Sequence, residues 1–285
     1  MLTAAQPQQT RTRVRHPSLV GVYLLLIVYA LLVAYPLLWM LLSSFKSTQD
    51  IYQRSWSLPQ EWHFENYLTA WNQGISDYFL NSVIVTGSTI ALTLLLGSLC
   101  AYGLSRFDFR YSNALLLLCI GGMLVSPQVS LVPLFKMMQA LHIHDTFLAM
   151  ILPYVAYRLP MTVLLVRSFF LSIPRELDEA AYIDGCTPLQ IFWRIYLPLS
   201  RSILLTAAVL TAYYAWNEFL FAIIFIDSDH LKTIPAGLMN FRDALSTNWG
   251  VLLAGLVIAA LPIIVLFLSM QKYFLSGMTA GSVKG

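Results

Sequence analysis

Charge is scarce in this sequence. Only 11% of its 285 residues are Asp, Glu, Lys or Arg, against roughly 25% in a soluble globular domain. Together with a hydrophobic content of 58%, that excludes an ordinary soluble domain and indicates a membrane protein. Cysteine is scarcer still: Cys100, Cys119 and Cys186 lie far apart with no paired spacing, which argues against a disulfide framework or a zinc site and for reduced packing residues. The five lysines follow Phe45, Phe135, Leu231, Gln271 and Val283, never glycine. A phosphate loop needs Gly-Lys-Ser or Gly-Lys-Thr, so the chain cannot bind ATP by that device. It also lacks a His-Glu-x-x-His zinc pattern, a pair of intramembrane aspartates and a Gly-x-Ser-x-Gly elbow, so no catalytic residue is assigned and a membrane enzyme is disfavoured. His142 and His144 have no acidic cluster nearby in sequence and read as a loop pair, so no metal is expected. The net charge of +3 is small and its Lys and Arg are dispersed, which leaves nucleic acid without a surface to bind.

What remains is long apolar runs. A bilayer crossing needs roughly 20 mostly apolar residues, and four stretches have that length without any charge: Pro17 to Phe45, Tyr78 to Ser105, Tyr111 to Phe135 and Ala244 to Gln271. Two more carry one charge each, Thr146 to Val166 with Arg158 and Ser202 to Ile226 with Glu218. Backbone groups in lipid must pair within their own segment, and nothing alternates like barrel strands, so the expectation is an all-α membrane protein with six transmembrane helices. The spans fall at about 17–45, 78–105, 111–135, 146–170, 202–226 and 244–272, within a single domain over 17–275. A basic tail, 1–16, precedes them and a C-terminal tail, 276–285, follows. The first run is far longer than a signal core of roughly 7–15 residues and reads as an uncleaved anchor.

Six spans put both termini on one side. That side would carry 11 of the Lys and Arg residues, including Arg11, Arg13 and Arg15, Arg106 and Arg110, and Arg167, Arg175, Arg194 and Arg201; the other would carry 5. Basic residues mark the cytoplasmic face, so the termini and the polar segment 171–200 are expected there.

That segment, an island of charge in the middle of the chain, reads as two short helices and a turn. Glu176, Asp178 and Glu179 suit the positive end of a first helix, and Gly185 suits its left-handed stop. Thr187, Pro188 and Gln190 then spell a capping box opening a second helix, which Pro198 should end or bend. Ala180 and Ala181 leave room for another backbone to approach. In the second helix Leu189, Phe192, Trp193 and Tyr196 fall at i, i+3, i+4 and i+7 as one apolar stripe. Such a helix packs either on its own bundle or on a partner, and periodicity alone leaves both open.

Glu179-Ala180-Ala181, Gly185 after three residues, then Ile195, Leu197 and Pro198 after nine more, together resemble the cytoplasmic loop motif of ABC importer permeases. AWNEFLFA at Ala215 to Ala222, the C-terminal QKYFLSGMTAGSVKG, the SRFDFR turn after the second span and LVPLF at Leu131 to Phe135 are similar to the inner-membrane subunits of maltose-type carbohydrate importers. The resemblance covers nearly the whole chain. It implies that the island is a coupling helix docking on a separate P-loop ATPase. Glu179 would meet a basic group there, Ala180 and Ala181 would allow close approach, Gly185 would make the turn, and Asp184, Ile195, Leu197 and Pro198 would complete the surface.

The resemblance further implies two ATPase copies holding the ATP and Mg, with no cofactor on this chain. A second homologous permease, an extracytoplasmic solute-binding protein and a sugar or oligosaccharide substrate complete the assembly, in the cytoplasmic membrane of a bacterium or archaeon. A polyol or glycerol phosphate is the alternative substrate class, and an ion-coupled secondary transporter is disfavoured by a single intramembrane acid. For the translocation path the resemblance points to Trp216, Asn217 and Glu218, although Glu218 serves equally well as a joint between helices. Arg158 departs from the family pattern; it is expected to meet substrate, to pair with a partner's acid or to snorkel to the interface. The tryptophans outside that stretch read as an interfacial belt rather than a sugar site.

Overall fold

The structure is a computed structural model and describes residues 18–241 and 247–280, with side chains over 20–241 and 247–270. The basic tail, Arg242, Lys284 and the side chains of the C-terminal motif lie outside the described residues. No strand occurs among the residues described. The helices in order are α1 (Ser18–Ser43), α2 (Thr48–Gln53), α3 (Glu65–Arg106), α4 (Ser112–Gly122), α5 (Pro127–Ala140), α6 (Phe147–Ser172), α7 (Glu176–Ile183), α8 (Pro188–Leu199), α9 (Arg201–Asn217), α10 (Leu220–Phe225), α11 (Ile234–Gly237) and α12 (Trp249–Ala280).

Four helices are long and apolar enough to cross a membrane alone: α1 over Val20–Ser43, α3, α6 and α12 over Trp249–Met270. Counting each bent pair, α4 with α5 and α8 with α9, as one span would raise the number to six.

Four expected boundaries differ. The run 111–135 is not one helix, because α4 and α5 meet at 103°. Ser126 is extended, at φ −72° and ψ 134°, the conformation a following proline imposes, and Pro127 then opens α5. The run 202–226 breaks after Asn217, where Glu218 is extended at ψ 125° before α10 starts. Finally, α3 begins well before Tyr78 and α12 runs on to Ala280, past the expected start of the C-terminal tail. The early start of α3 depends on a widened turn over Trp71–Ile75 where Gly74 takes φ 120°, a conformation side chains rarely adopt.

The bundle is built on α3 against α6. A Cβ placed on Gly97 would meet Thr162 Cγ2 at 2.7 Å, so the two backbones approach where glycine permits it, within a stripe of buried Thr86, Thr89, Thr93 and Ser98 on α3. Small residues let helices pack closely where lipid supplies no hydrophobic drive. At one end, Asp145 accepts hydrogen bonds from the N–H groups of Asp227 and Ser228 at 3.0 and 2.9 Å, fastening the α5–α6 turn to the end of α10. Asp145 itself has φ 59°. At the opposite end, Ala101, Tyr102, Val166 and Phe170 form a buried cluster onto which α7 and α8 fold.

Candidate coupling surface and translocation groove

After α6 the chain turns at Pro174 and enters α7, whose first turn carries Glu176, Asp178 and Glu179. Gly185, at φ 78°, ends it. Thr187 then caps α8 reciprocally: its hydroxyl accepts from Gln190 N–H, and the Gln190 side chain accepts from Thr187 N–H at 2.8 Å. The helix ends at Leu199, and α9 departs at 79°.

The expected stripe divides in two. Ile191, Phe192 and Tyr196 are fully buried, while Leu189 and Trp193 are 59% and 51% exposed. Residues three apart on a helix lie about 60° from each other, so the row through 192 and 196 is adjacent to the row through 189 and 193. The cluster on Tyr102 and Phe170 accommodates only the first row. Of the motif residues, Ala181 is buried, Ile195 and Leu197 are half-buried, and Glu179, Ala180, Asp184, Gly185 and Pro198 are exposed. Tyr182 and Ile183, at 49% and 87% exposed, extend an apolar rim beside them.

A buried polar node seats this loop. Arg106, the last residue of α3, donates to the carbonyls of Phe170 and Ile173 at 2.7 and 2.6 Å. Its Nε lies 3.5 Å from Asp178 Oδ2, and its guanidinium sits 4.9 Å from the centre of the Tyr196 ring. Tyr196 completes the circuit by donating its hydroxyl to Asp178 at 2.9 Å, while Tyr102 donates to the Pro188 carbonyl at 3.2 Å. One cation thereby ties the ends of α3 and α6 to both helices of the loop. Sequence reasoning missed this node: Asp178 reads as one of three acids at a helix start, and its partner is 72 residues away. The SRFDFR turn was the available signal.

The four residues expected along the path divide as well. Glu218 occupies the break between α9 and α10, where its carboxylate accepts from the N–H groups of Leu220 and Phe221 at 2.9 and 3.1 Å and from the Tyr154 hydroxyl at 2.6 Å. It opens α10 and joins it to α6. Trp216 is buried and donates from Nε1 to the Ala259 carbonyl at 3.0 Å, bolting α9 to α12, with Phe79 edge-on at 5.7 Å. Arg158 is half-buried, its guanidinium 5.3 Å from the centre of the Tyr214 ring, with no hydrogen-bond partner at Nε. Arg158, Asn217 and Glu218 line one groove of about 490 Å³, together with Tyr213, Tyr214 and Phe219. Trp216 is absent from that groove; with Asn217 it borders a larger apolar cavity of about 770 Å³ between α1, α9, α11 and α12. No group of three or more His, Cys, Asp and Glu suited to a metal occurs among the described residues.

The arrangement is a helical bundle with long apolar helices and the 171–200 segment seated on one end. Residues 93–279 match the family described as binding-protein-dependent transport system inner membrane component. The probable ABC transporter permease protein YurM of Bacillus subtilis (strain 168) is 60% identical over 265 residues, covering 93% of this chain and 88% of the relative. The arabinooligosaccharides transport system permease protein AraQ of the same organism is 34% identical over 281 residues, covering 95% and 99%. Among solved structures, a bacterial ABC transporter involved in the import of the acidic polysaccharide alginate shares the fold, with a TM-score of 0.81 at 24% identity over 93% of this chain and 100% of that one. The chain belongs to this family of inner membrane components and is a multi-pass ABC importer permease.

Proposed function

We propose that the chain forms one half of the pore of an ATP-driven importer of a sugar or oligosaccharide in the cytoplasmic membrane of a bacterium or archaeon. The bent pairs count as spans, giving six, and the excess of Lys and Arg on one side puts both termini and the 171–200 loop in the cytoplasm. Two P-loop ATPase subunits, which carry the ATP and Mg, dock on that loop. A second homologous permease supplies the other half of the pore, and an extracytoplasmic binding protein delivers the solute. The relatives' printed substrate, arabinooligosaccharides for AraQ, supports the carbohydrate class.

The observation that carries the reading is the division of the loop. Its inner row is locked into the bundle, and its outer row leaves Ile183, Leu189 and Trp193 exposed beside the acidic Glu179 and Asp184. Apolar side chains this exposed at the cytoplasmic end mark a protein-docking surface. Because the inner row is seated through Arg106 and Asp178, a displacement of the docked motor moves the ends of α3 and α6 as one body. Alternating access then follows as rigid-body motion of the bundle.

The groove beneath Glu218 is the proposed solute path in this half. Glu218 holds its wall, Arg158 and Asn217 face the solute, and Trp216 acts from outside the groove by bolting α9 to α12. The unpaired Nε of Arg158 also favours a second reading, in which the cargo carries an acidic or phosphate group. Affinity purification of the tagged chain with mass spectrometry tests the assembly. A P-loop ATPase and a second permease should co-purify, and Gly185→Asp, which strains a left-handed turn and adds a like charge beside Asp184, should release the ATPase. A chain that purifies alone would reject the coupling role.

A further inference from the structure

A second cationic feature lies apart from the coupling node. Where α3 ends, α4 begins and α6 ends, a polar cavity of about 470 Å³ is lined by Arg110, Arg167 and Arg175, with Asp108, Ser112 and Asn113. Unlike Arg106, these three arginines make no ion pair among the described residues. Arg167 Nε donates to the Leu104 carbonyl at 3.2 Å, which fixes its stem and leaves its terminal nitrogens unclaimed. Arg110 contacts the Tyr111 ring at 6.0 Å. The cavity also receives the start of α4, an eleven-residue helix with no side-chain cap, whose Ser112 and Asn113 line it and whose Ser112 N–H is taken by the Phe109 carbonyl at 3.1 Å. Asp108 is the sole acid in the lining, and three cations outweigh it.

Three unpaired guanidinium groups and an uncapped helix start, gathered at the level where three apolar helices end, describe a receptor for a phosphate oxyanion. A loop that needed these arginines for its own stability would have paired them, as it pairs Arg106. We propose that this cavity binds a phosphate-bearing anion, either the headgroup of an anionic phospholipid or phosphate free in the cytoplasm. Its occupant bridges the α3–α4 turn to Arg175 at the entrance of the 171–200 loop, so occupancy stiffens that entrance. The proposal uses the membrane placement of the helices but not the coupling role, and it stands or falls separately from the co-purification result.

The test is native mass spectrometry of the full chain, with whatever subunits accompany it, in mild detergent supplied with phosphatidylglycerol or phosphatidylcholine. Phosphatidylglycerol should be retained and phosphatidylcholine not. Removing one arginine near the membrane surface is expected to weaken retention about fivefold, so Arg110→Gln/Arg167→Gln/Arg175→Gln should lower it by about two orders of magnitude. Arg11→Gln/Arg13→Gln/Arg15→Gln, which removes the same charge from the tail, should leave it unchanged. If no lipid is retained but millimolar inorganic phosphate raises the thermal midpoint of the wild type and not of the cavity triple variant, the occupant is free phosphate. Should the triple variant fail to fold, Arg110→Gln alone, an exposed side chain beside the Tyr111 ring, should show the fivefold loss. Equal responses of wild type and cavity variants to both probes, or an equal loss in the tail variant, would overturn the proposal.

Discussion

Removing the Asp178 carboxylate tests whether the 171–200 loop is a rigid part of the bundle. In Asp178→Ala the Tyr196 hydroxyl loses a charged acceptor at 2.9 Å, and Arg106 loses the carboxylate 3.5 Å from its Nε. The two side chains of the ion pair are 6% and 14% exposed, so solvent replaces little of what is lost. A hydrogen bond to a charged group contributes about 1.5–3 kcal/mol, and stripping one partner from a buried pair costs about 3–5 kcal/mol. Arg106 keeps the carbonyls of Phe170 and Ile173, which points to the lower end. The expected cost is about 3 kcal/mol, on the order of a hundredfold in the balance between seated and displaced loop.

Arg106→Ala should cost more, because it also frees both carbonyls and withdraws the cation from the Tyr196 ring. Arg106→Met/Asp178→Leu replaces the pair by apolar side chains of similar length and should recover most of the stability. The assays are thermal unfolding of the purified complex and ATP hydrolysis stimulated by the binding protein in proteoliposomes. Asp178→Ala should lower the thermal midpoint and cut stimulated hydrolysis roughly tenfold, while the isolated ATPase is unaffected. An unchanged midpoint together with an unchanged stimulated rate would refute the anchoring argument. Tyr196 should bring no pH dependence to the node near neutrality. Burial, reinforced by the bond to Asp178, pushes the Tyr196 hydroxyl above its ordinary value of 10.0. A raised folded pKa gives a contribution fully present below the unfolded value and lost as pH rises through the folded one. Thermal midpoints should therefore show no Tyr196-dependent loss until strongly alkaline pH.

Gly97→Val would push side-chain carbon into Thr162 Cγ2, 2.7 Å from the nearest possible Cβ, and should lower the thermal midpoint through about 1–3 kcal/mol of overpacking; adding Thr162→Ala to Gly97→Ala should relieve part of the strain. Glu218→Ala deprives three N–H groups and the Tyr154 hydroxyl of their acceptor, and is expected to cost about 2 kcal/mol, with Glu218→Gln milder because one carbonyl acceptor survives; unfolding curves of the two variants check this. Arg158→Ala should reduce uptake at normal protein levels without changing thermal stability, since Arg158 makes a ring contact and no ion pair among the described residues. Unchanged uptake of the transported solute would remove Arg158 from the path.

The long spans were readable because length and absence of charge are sufficient signals. The runs Pro17 to Phe45 and Thr146 to Val166 lie close to the bounds of α1 and α6. The breaks were harder. Hydropathy weighs side chains, whereas α4 and α5 part at the backbone of Ser126, whose signal was the proline that follows. The turn of the 171–200 loop was fully legible, because Gly185, Thr187, Pro188 and Gln190 act on their own neighbours. Its buried face was not. Leu189, Phe192, Trp193 and Tyr196 are equally apolar, and only the position of Tyr102 and Phe170, residues brought in from α3 and α6, decides which pair turns inward. The Arg106–Asp178 contact fails to show for the same reason: a pair that closes across a fold leaves no periodicity in the chain.

The groove shows how a motif and a geometry answer different questions. The WNEF stretch singled out Trp216, Asn217 and Glu218 together, yet their atoms do three different things. Unwound backbone is tolerated at membrane depth only where its polar groups are satisfied or where it lines a cavity, and the break at Glu218 meets both conditions: its carboxylate takes the N–H groups of α10, and the groove opens beside it. Trp216 spends its donor on Ala259 of α12. Asn217 gives its amide nitrogen to the Tyr213 carbonyl at 2.8 Å and borders both the groove and the larger apolar cavity. Arg158, contributed by α6 and outside the motif, brings the one cation of that groove. A guanidinium from α6 and an amide from α9 thus border one groove, a pairing that no contiguous stretch encodes, with the Tyr154–Glu218 bond tying α6 to the end of α9. On the proposed solute path, loosening the bond with Tyr154→Phe should shift which solutes compete for uptake, whereas Arg158→Ala should weaken uptake of all of them.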